Sequence, residues 1–248
     1  QKGQPLEEYF PSYHPGMVRG WLHSLPAAGG LVLSPFGSSP QALLEAARAG
    51  FRVLAPVHNP ATRLLISGLA NPPSREELNA ALARLASGYK GDERLKPHIL
   101  SLYATECPGC GALTPARALV WSRERGEPVA KSCSCSQCGE ASEGEASADD
   151  ISRALSFRDH SLTLARALTR VAAPDDPLRV QVEIALRSYP ARSVYALQSL
   201  LNKISGLESD PREKNLLELL LLQACYLASS PRTRIEAENS QAGTRVDY

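Results

Sequence analysis

The sequence predicts an α/β half, followed by an inserted four-cysteine ribbon and a C-terminal helical cluster. Residues 29–60 alternate two short apolar runs with one helical segment, which is typical of a βαβ unit. Two Cys-x-x-Cys-Gly motifs occupy the middle of the chain, and residues 151–229 carry apolar side chains at helical spacing between prolines. The predicted domains are the α/β half at 1–100, the ribbon at 101–139, an acidic linker at 140–150, a helical region at 151–230 and a polar tail at 231–248.

The α/β half begins with a strand, a turn, a helix and a second strand. Leu31–Leu33 is apolar and precedes a turn rich in proline, glycine and serine. Ser39 can accept a hydrogen bond from the first turn of a helix that starts at Pro40, where a missing N–H costs nothing. Gly50 fits the left-handed position after that helix, and residues 51–55 form the second apolar run.

Three short motifs around these strands carry a resemblance to a known family. YHPGM lies upstream at residues 13–17, SPFGSSPQ follows the first strand, and APVHNP follows the second. They resemble the H-P-x-x-M, D-P-F-x-G-S-G-T and G-x-D-x-N-P segments of amino-group DNA methyltransferases, which use S-adenosylmethionine. The resemblance covers roughly residues 9–88 and implies a Rossmann-like methyltransferase half. It places a degenerate cofactor-binding remnant at Pro35, Phe36, Gly37 and Asn59.

The acids that such a cofactor site needs are missing. The resemblance aligns the first acid with Ser34 and the second with Val57, and it aligns the two turn glycines with Ser38 and Pro40. Val57 cannot accept the ribose hydroxyls, and Pro40 removes both an N–H and conformational freedom. Losing two charge-assisted acceptors at about 1.5–3 kcal/mol each weakens binding by a few orders of magnitude. We therefore expect no functional S-adenosylmethionine site. An ordinary βαβ unit without this ancestry is the other interpretation.

The catalytic tetrapeptide that the resemblance implies is also absent. Such enzymes use Asp/Asn/Ser-Pro-Pro-aromatic to bind the target amino group and to stack on the flipped base. The nearest segment is NPPS at residues 71–74, which lacks the aromatic residue. Ser74 and Glu77 instead form a capping box, which predicts the start of a helix. We therefore assign no catalytic residue.

The most specific motif is the pair of Cys-x-x-Cys-Gly segments, Cys107-Pro-Gly-Cys110-Gly and Cys135-Ser-Gln-Cys138-Gly. Each can fold as a knuckle that points two thiolates to one side, while the following glycine tolerates a positive φ. Two knuckles supply four thiolates, which complete a tetrahedral shell and leave no open position for catalysis. The sequence therefore predicts a structural Zn²⁺ held by Cys107, Cys110, Cys135 and Cys138.

Three alternatives to zinc follow from the same spacing. The cysteines could form disulfides, although a cytoplasmic protein disfavours them, or they could be unligated thiols. Iron in a four-thiolate site fits the spacing equally well. Cys133 lies close enough in sequence to compete as a ligand but fits neither knuckle, and Cys225 is predicted to be a core thiol.

The charge balance limits the predicted partners. The chain has 27 basic and 26 acidic residues and a net charge of +1, so no global field attracts nucleic acid or anionic membrane. We expect a cytoplasmic protein with no membrane contact. DNA binding would need a local basic patch, for which the candidates are Arg117, Arg123, Arg125, Lys131, Arg187, Arg192 and Lys203.

These observations predict a catalytically impaired DNA-methyltransferase-like protein, that is, a pseudoenzyme. Its expected role is a scaffolding subunit that binds nucleic acid, an active methyltransferase or another protein. The alternative is an active S-adenosylmethionine-dependent DNA methyltransferase, or a fragment of one, that modifies an adenine or cytosine amino group. A zinc-ribbon interaction module with no nucleic-acid role is the third reading.

Overall fold

The computed structural model describes residues 10, 13–25, 29–37, 39–122, 125, 127–156, 161–228 and, as backbone only, 243–247. The helices are α1 Met17–His23, α2 Pro40–Arg48, α3 Pro60–Ala70, α4 Arg75–Ser87, α5 Leu95–Ser101, α6 Ala148–Leu155, α7 Ser161–Val171, α8 Arg179–Arg187, α9 Ala191–Ser205 and α10 Pro211–Ala228. The strands are β1 Leu31–Leu33, β2 Arg52–Leu54, β3 Tyr89–Lys90, β4 Glu93–Arg94, β5 Ala104–Glu106, β6 Leu113–Ser122, β7 Glu127–Ser134, β8 Ala141–Glu145 and β9 Gly243–Asp247.

The chain divides into two compact units. The first consists of Gln1–Ala81 with Glu208–Gln223, and the second of Leu82–Leu207 with Ala224–Tyr248. In the first unit, β1 and β2 pair in parallel through the crossover helix α2, with Val32 opposite Val53. The mixed α/β class and the βαβ unit are therefore confirmed.

The capping residues of the first unit behave as the sequence predicts. The Ser39 hydroxyl accepts a hydrogen bond from the Ala42 N–H, and Gly50 adopts a φ of +88° after α2. Ser74 and Glu77 form the reciprocal capping box that opens α4, at donor–acceptor distances of 2.7 and 3.1 Å. The NPPS segment therefore leads into a helix, as expected.

The parallel sheet differs from the Rossmann-like expectation. Within the described residues it contains only β1 and β2, so the wide parallel sheet of a Rossmann fold is not formed. After β2 the chain forms α3 and α4 in succession, with no apolar strand between them. A third parallel strand would need such a segment, because each crossover returns the chain to the sheet edge.

The second unit contains the ribbon, which is larger than predicted. Strands β5, β6, β7 and β8 pair in that order, all antiparallel, and β9 pairs with β6. The antiparallel β6–β7 pair joins the two cysteine motifs. The sequence predicts only a polar tail at 231–248, whereas the structure forms strand β9 within it. The remaining tail residues, 231–242 and 248, lie outside the described residues.

The acidic segment 140–150 is not a linker. Its first half is strand β8, in which Ser142 and Gly144 are half-buried while Glu143 and Glu145 are exposed. Its second half starts α6, where Ser147 and Asp150 form a capping box. The alternation of small residues with acids lets the segment pair with β7 and still present its charges to water.

The helical region largely matches its prediction. The apolar pattern of residues 180–187 fits a strand and a helix equally well, and in the structure these residues belong to α8. Asp210 accepts a hydrogen bond from the Arg212 N–H at the start of α10. On α9, Val194 and Ile204 are buried. Within the described ranges, no helix combines the length and apolarity needed to cross a bilayer.

Candidate metal centre

Two knuckles of the same geometry build the candidate metal centre. In the first, the Gly111 N–H donates to the Cys107 carbonyl at 2.9 Å, and Gly111 has a φ of +71°. In the second, the Gly139 N–H donates to the Cys135 carbonyl at 3.0 Å, and Gly139 has a φ of +72°. Both turns depend on a glycine because this region of backbone conformation is costly for other residues. The predicted glycine role is confirmed.

Strand pairing at the base of each knuckle fixes its position. The Cys107 N–H donates to the Ala112 carbonyl, and the Cys135 N–H donates to the Glu140 carbonyl, both at 2.9 Å. These bonds close each Cys-x-x-Cys turn at the end of the β5–β6 and β7–β8 pairs. The two turns therefore face each other at one end of the ribbon sheet.

The four sulfur atoms lie where one metal ion would hold them. All four Sγ atoms lie within 4.8 Å of one another. The Sγ atoms of Cys107 and Cys138 are 3.8 Å apart, and those of Cys110 and Cys135 are 3.6 Å apart. A tetrahedral shell with Zn–S bonds of about 2.3 Å places its sulfurs about 3.8 Å apart. The cluster therefore fits a structural metal such as zinc.

The same distances exclude disulfides within this cluster. A disulfide needs sulfurs about 2.05 Å apart, and all four cysteines are free thiols in the structure. Four thiolates in this geometry also suit iron. The four sulfur donors therefore do not distinguish zinc from iron.

Backbone donors favour thiolates in the buried half of the cluster. The N–H groups of Cys110 and Gly109 point at the Cys107 sulfur and lower its pKa to about 6. At Cys138 the Glu140 N–H acts in the same direction, but burial and the neighbouring thiols outweigh it and raise the pKa to about 12. The four thiols therefore do not all ionise near neutrality without a cation. A bound metal would displace the remaining protons.

The two other cysteines lie outside the cluster. Cys133 is buried with Cys107 and Cys135, and its Sγ lies 3.5 Å from the Ser142 hydroxyl. It is not among the four sulfurs that converge. Cys225 lies on α10, and burial raises the pKa of its thiol. Both therefore pack as thiols, as their positions in the sequence suggest.

The turn after β1 does not form a cofactor cradle. Gly37 has a φ of +53°, and a Cβ placed on it would lie 2.8 Å from Val57 Cγ2 and 3.1 Å from the Pro56 carbonyl oxygen. The turn thus packs directly against the residue that stands where the ribose acceptor is expected. Phe36 is 85% exposed. These residues do not fit S-adenosylmethionine.

Asn59 has a structural role in this region. Its side-chain oxygen accepts hydrogen bonds from the Ala61 and Thr62 N–H groups, at 2.9 and 3.4 Å, and so caps α3. Pro35 is exposed and makes no described polar contact with the other remnant residues. Of the four predicted remnant residues, none presents a polar side chain to a shared ligand position.

The upstream YHPGM segment is held by a glutamate of α2. The Glu45 carboxylate accepts hydrogen bonds from the Tyr13 hydroxyl and from the N–H groups of Gly16 and Arg19. These bonds from Tyr13, Arg19, Gly16 and Val18 hold the pKa of Glu45 below its usual range, with the Tyr13 hydroxyl contributing most. Glu45 therefore accepts hydrogen bonds from the N–H groups of Gly16 and Arg19 at the start of α1, a role that the sequence analysis did not identify.

Two of the seven candidate basic residues are buried, and a third forms a surface ion pair. Lys131 is 6% exposed and donates to Asp150 at 2.8 Å, while Arg192 is 4% exposed, donates to the Leu102 carbonyl and stacks on Tyr103. Arg187 pairs with Glu183 on the surface of α8. Arg117 and Arg125 are exposed and Lys203 is half-buried, whereas Arg123 lies outside the described residues. The long-range contacts of Lys131 and Arg192 could not be read from the sequence.

Comparisons of the chain with protein-family models, with curated proteins and with solved structures give no significant match.

Proposed function

We propose that this chain is a zinc-stabilised, noncatalytic scaffolding subunit that binds a partner protein through its β1–β2 sheet. In this proposal the α/β half derives from the cofactor half of an amino-group DNA methyltransferase, but within the described residues it keeps only one βαβ unit of that sheet. The observation that carries the binding role is the outer face of the sheet. Leu31, Leu33 and Leu54 lie on that face and are 61%, 60% and 56% exposed.

The chemistry of parallel sheets supports this role. Parallel strands normally have both faces covered, and their side chains are accordingly apolar. Here the inner residues Val32 and Val53 are half-buried, while the outer leucines face water in a sheet of two described strands. Exposed apolar patches occur at protein–protein contacts, membrane contacts and ligand grooves, and in this proposal the three leucines contact a protein. A nucleic-acid surface would instead present basic side chains, of which only Arg52 lies on this face.

The metal centre supports a structural role. Four thiolates complete the coordination shell of Zn²⁺, so a bound ion would have no position open to substrate or water. When bound, the ion would supply folding free energy to the ribbon through Cys107, Cys110, Cys135 and Cys138. In this proposal the metal centre stabilises the fold and takes no part in catalysis.

The scaffolding role can be tested by quantitative co-purification. A double variant, Leu33→Glu with Leu54→Glu, should lose a defined set of stoichiometric partners, because charge on the apolar face opposes its burial. The matched control is Leu178→Glu, since Leu178 is 60% exposed but lies in the second unit. Isotope-labelled mass spectrometry would compare the bound proteins. If the double variant and the control retain the same proteins, the β1–β2 face is not the binding site.

S-adenosylmethionine should bind no tighter than about millimolar, because Val57 offers no acceptor and fills the space beside Gly37. Isothermal titration of the metal-loaded protein measures this directly. The matched gain-of-function variant restores the four family residues, as Ser34→Asp, Ser38→Gly, Pro40→Gly and Val57→Asp. Micromolar binding by the unchanged chain would refute the pseudoenzyme proposal and favour the active methyltransferase.

DNA should bind weakly, with little sequence preference and a steep salt dependence, because the exposed basic residues form at most a small phosphate-binding patch. Changing Arg117 and Arg125 to Glu should lower the affinity and reduce the salt slope by about one unit per lost phosphate contact. Fluorescence anisotropy at low salt measures both. The double variant Arg48→Glu with Arg63→Glu, at exposed positions of α2 and α3, is the control, because it changes the net charge by the same amount. If the unchanged protein does not shift duplex or single-stranded DNA, the nucleic-acid role is excluded.

A further inference from the structure

A second cluster of reactive side chains lies away from the cysteines. It joins the β3–β4 hairpin, α5 and α9. The Glu93 carboxylate lies 3.2 Å from His98 Nδ1, and the Tyr195 hydroxyl lies 3.0 Å from His98 Nε2. The His98 and Tyr195 rings are 5.8 Å apart and tilted by 59°. A carboxylate, an imidazole and a phenol are thus connected in one chain of hydrogen bonds.

The partners of His98 fix the direction of these bonds. A carboxylate can only accept a hydrogen bond, so Nδ1 carries the ring proton and donates to Glu93. In the neutral ring Nε2 is then an acceptor, and the Tyr195 hydroxyl donates to it. In this arrangement the Glu93 carboxylate orients the His98 imidazole, and the imidazole can act as a base that removes the proton of the Tyr195 phenol. Catalytic triads use a carboxylate, a base and a nucleophile in the same way.

The charges of Glu93 and Lys90 favour transfer of the phenol proton to His98, whereas partial burial of the imidazole opposes it. The His98 side chain is 20% exposed and that of Glu93 is 49% exposed, so the imidazole is shielded while its carboxylate partner reaches water. The Lys90 ammonium lies 5.6 Å from the centre of the Tyr195 ring. A nearby cation stabilises negative charge that develops on the phenol.

We propose that Tyr195 is an activated phenol and the site of covalent modification by small acyl donors. In the reaction the Tyr195 oxygen attacks the acyl carbon and forms an ester bond, and the bond from that carbon to the leaving group breaks. The phenol proton passes to His98 Nε2 and then to the leaving group. Glu93 acts as a positioning residue, because it holds the imidazole in the tautomer that can accept the proton.

N-acetylimidazole is a suitable probe, since its leaving group is a neutral imidazole. The full, metal-loaded chain would be treated across a pH series around neutrality, and peptide mass spectrometry would follow each tyrosine. Tyr89 serves as the internal reference, because it is 55% exposed and is not part of this cluster. We expect Tyr195 to react at least about tenfold faster than Tyr89, despite its lower exposure. An equal or slower rate at Tyr195 overturns the proposal.

Two variants separate activation from simple accessibility. His98→Gln should slow the reaction at Tyr195 about 100-fold without changing Tyr89, and should remove the limb of the pH profile that follows imidazole protonation. Glu93→Gln changes the more exposed end of this hydrogen-bonded series and tests the same mechanism if His98→Gln fails to fold. It should slow the acylation of Tyr195 severalfold. Tyr195→Phe confirms the site of the mass shift. Unchanged rates at Tyr195, or a fall that Tyr89 shares, would overturn the proposal.

Discussion

Replacing Cys110 with serine should release the metal and unfold the ribbon. Cys110 supplies one of the four converging sulfurs, and a structural zinc site of this type contributes about 10–16 kcal/mol of apparent binding free energy. Elemental analysis should give about one zinc per unchanged chain and much less for Cys110→Ser. Unfolding should be confined to the second unit, because the first unit contains none of the four ligands.

The two tryptophans allow this local unfolding to be measured. Trp121 lies on β6 of the ribbon, whereas Trp21 lies on α1. Trp21 is 64% exposed, so Trp21→Phe should cost little and leaves a single fluorescent reporter in the ribbon. Cys110→Ser should red-shift Trp121 emission, while the matched thiol control Cys225→Ser should not. A Cys110→Ser protein that keeps its full metal content would refute the assigned ligand set.

Replacing Asp150 with alanine should destabilise the second unit by about 3–5 kcal/mol, because it leaves the Lys131 ammonium buried without its counter-charge. The two side chains are 6% and 2% exposed, and their charged atoms lie 2.8 Å apart. Asp150 also accepts hydrogen bonds from the Ser147 N–H and hydroxyl at the start of α6. Urea unfolding followed by Trp121 fluorescence measures the change.

An exposed ion pair of the same unit is the matched control. Arg187 and Glu183 lie 2.6 Å apart on α8, with side chains 67% and 38% exposed. Glu183→Ala should change stability by less than about 0.5 kcal/mol, because water already solvates both charges. The paired variant Lys131→Met with Asp150→Leu should recover most of the loss. An Asp150→Ala effect as small as that of Glu183→Ala would show that the buried pair is not important for stability.

The Lys131–Asp150 pair makes the stability of the ribbon depend on pH. Burial opposes ionisation of Asp150, but the hydrogen bonds from Lys131 and Ser147 outweigh it and hold the pKa of Asp150 below its usual value of 3.8. A carboxyl group with a lowered folded-state pKa contributes its stability above the unfolded-state pKa and loses it as pH falls through the folded-state pKa. The difference in stability between the unchanged protein and Asp150→Ala should therefore shrink below about pH 4.

Local chemistry explains what could be predicted from the sequence. The caps at Ser39 and Ser74, the turn at Gly50 and the two cysteine knuckles each involve partners within a few residues. Their hydrogen bonds form wherever the chain has that residue order, so the sequence is sufficient. The four metal ligands could be predicted for the same reason, because each knuckle forms from neighbouring residues. The repeated motif also indicates that two knuckles share one metal ion.

The departures from prediction arise from pairing between distant segments. The acidic composition of residues 140–150 suggested a solvated linker, but the alternation of Ser142 and Gly144 with two exposed glutamates allows β8 to pair with β7. An edge strand can carry such charges, because one side of it faces water. Composition alone could not reveal this, since the deciding partner was β7.

The sequence by itself determined the βαβ unit, the helix starts and the four thiolates, because each depends on neighbours along the chain. Only the tertiary structure decided which basic and ionisable side chains are buried and which partners they contact. The buried Lys131 ammonium pairs with Asp150, and the buried Arg192 guanidinium contacts the Leu102 carbonyl and the Tyr103 ring. His98 meets Tyr195 across 97 positions of sequence. Such contacts depend on how strands and helices pack, and the free energy of burying a charge is decided only by the partner that packing supplies.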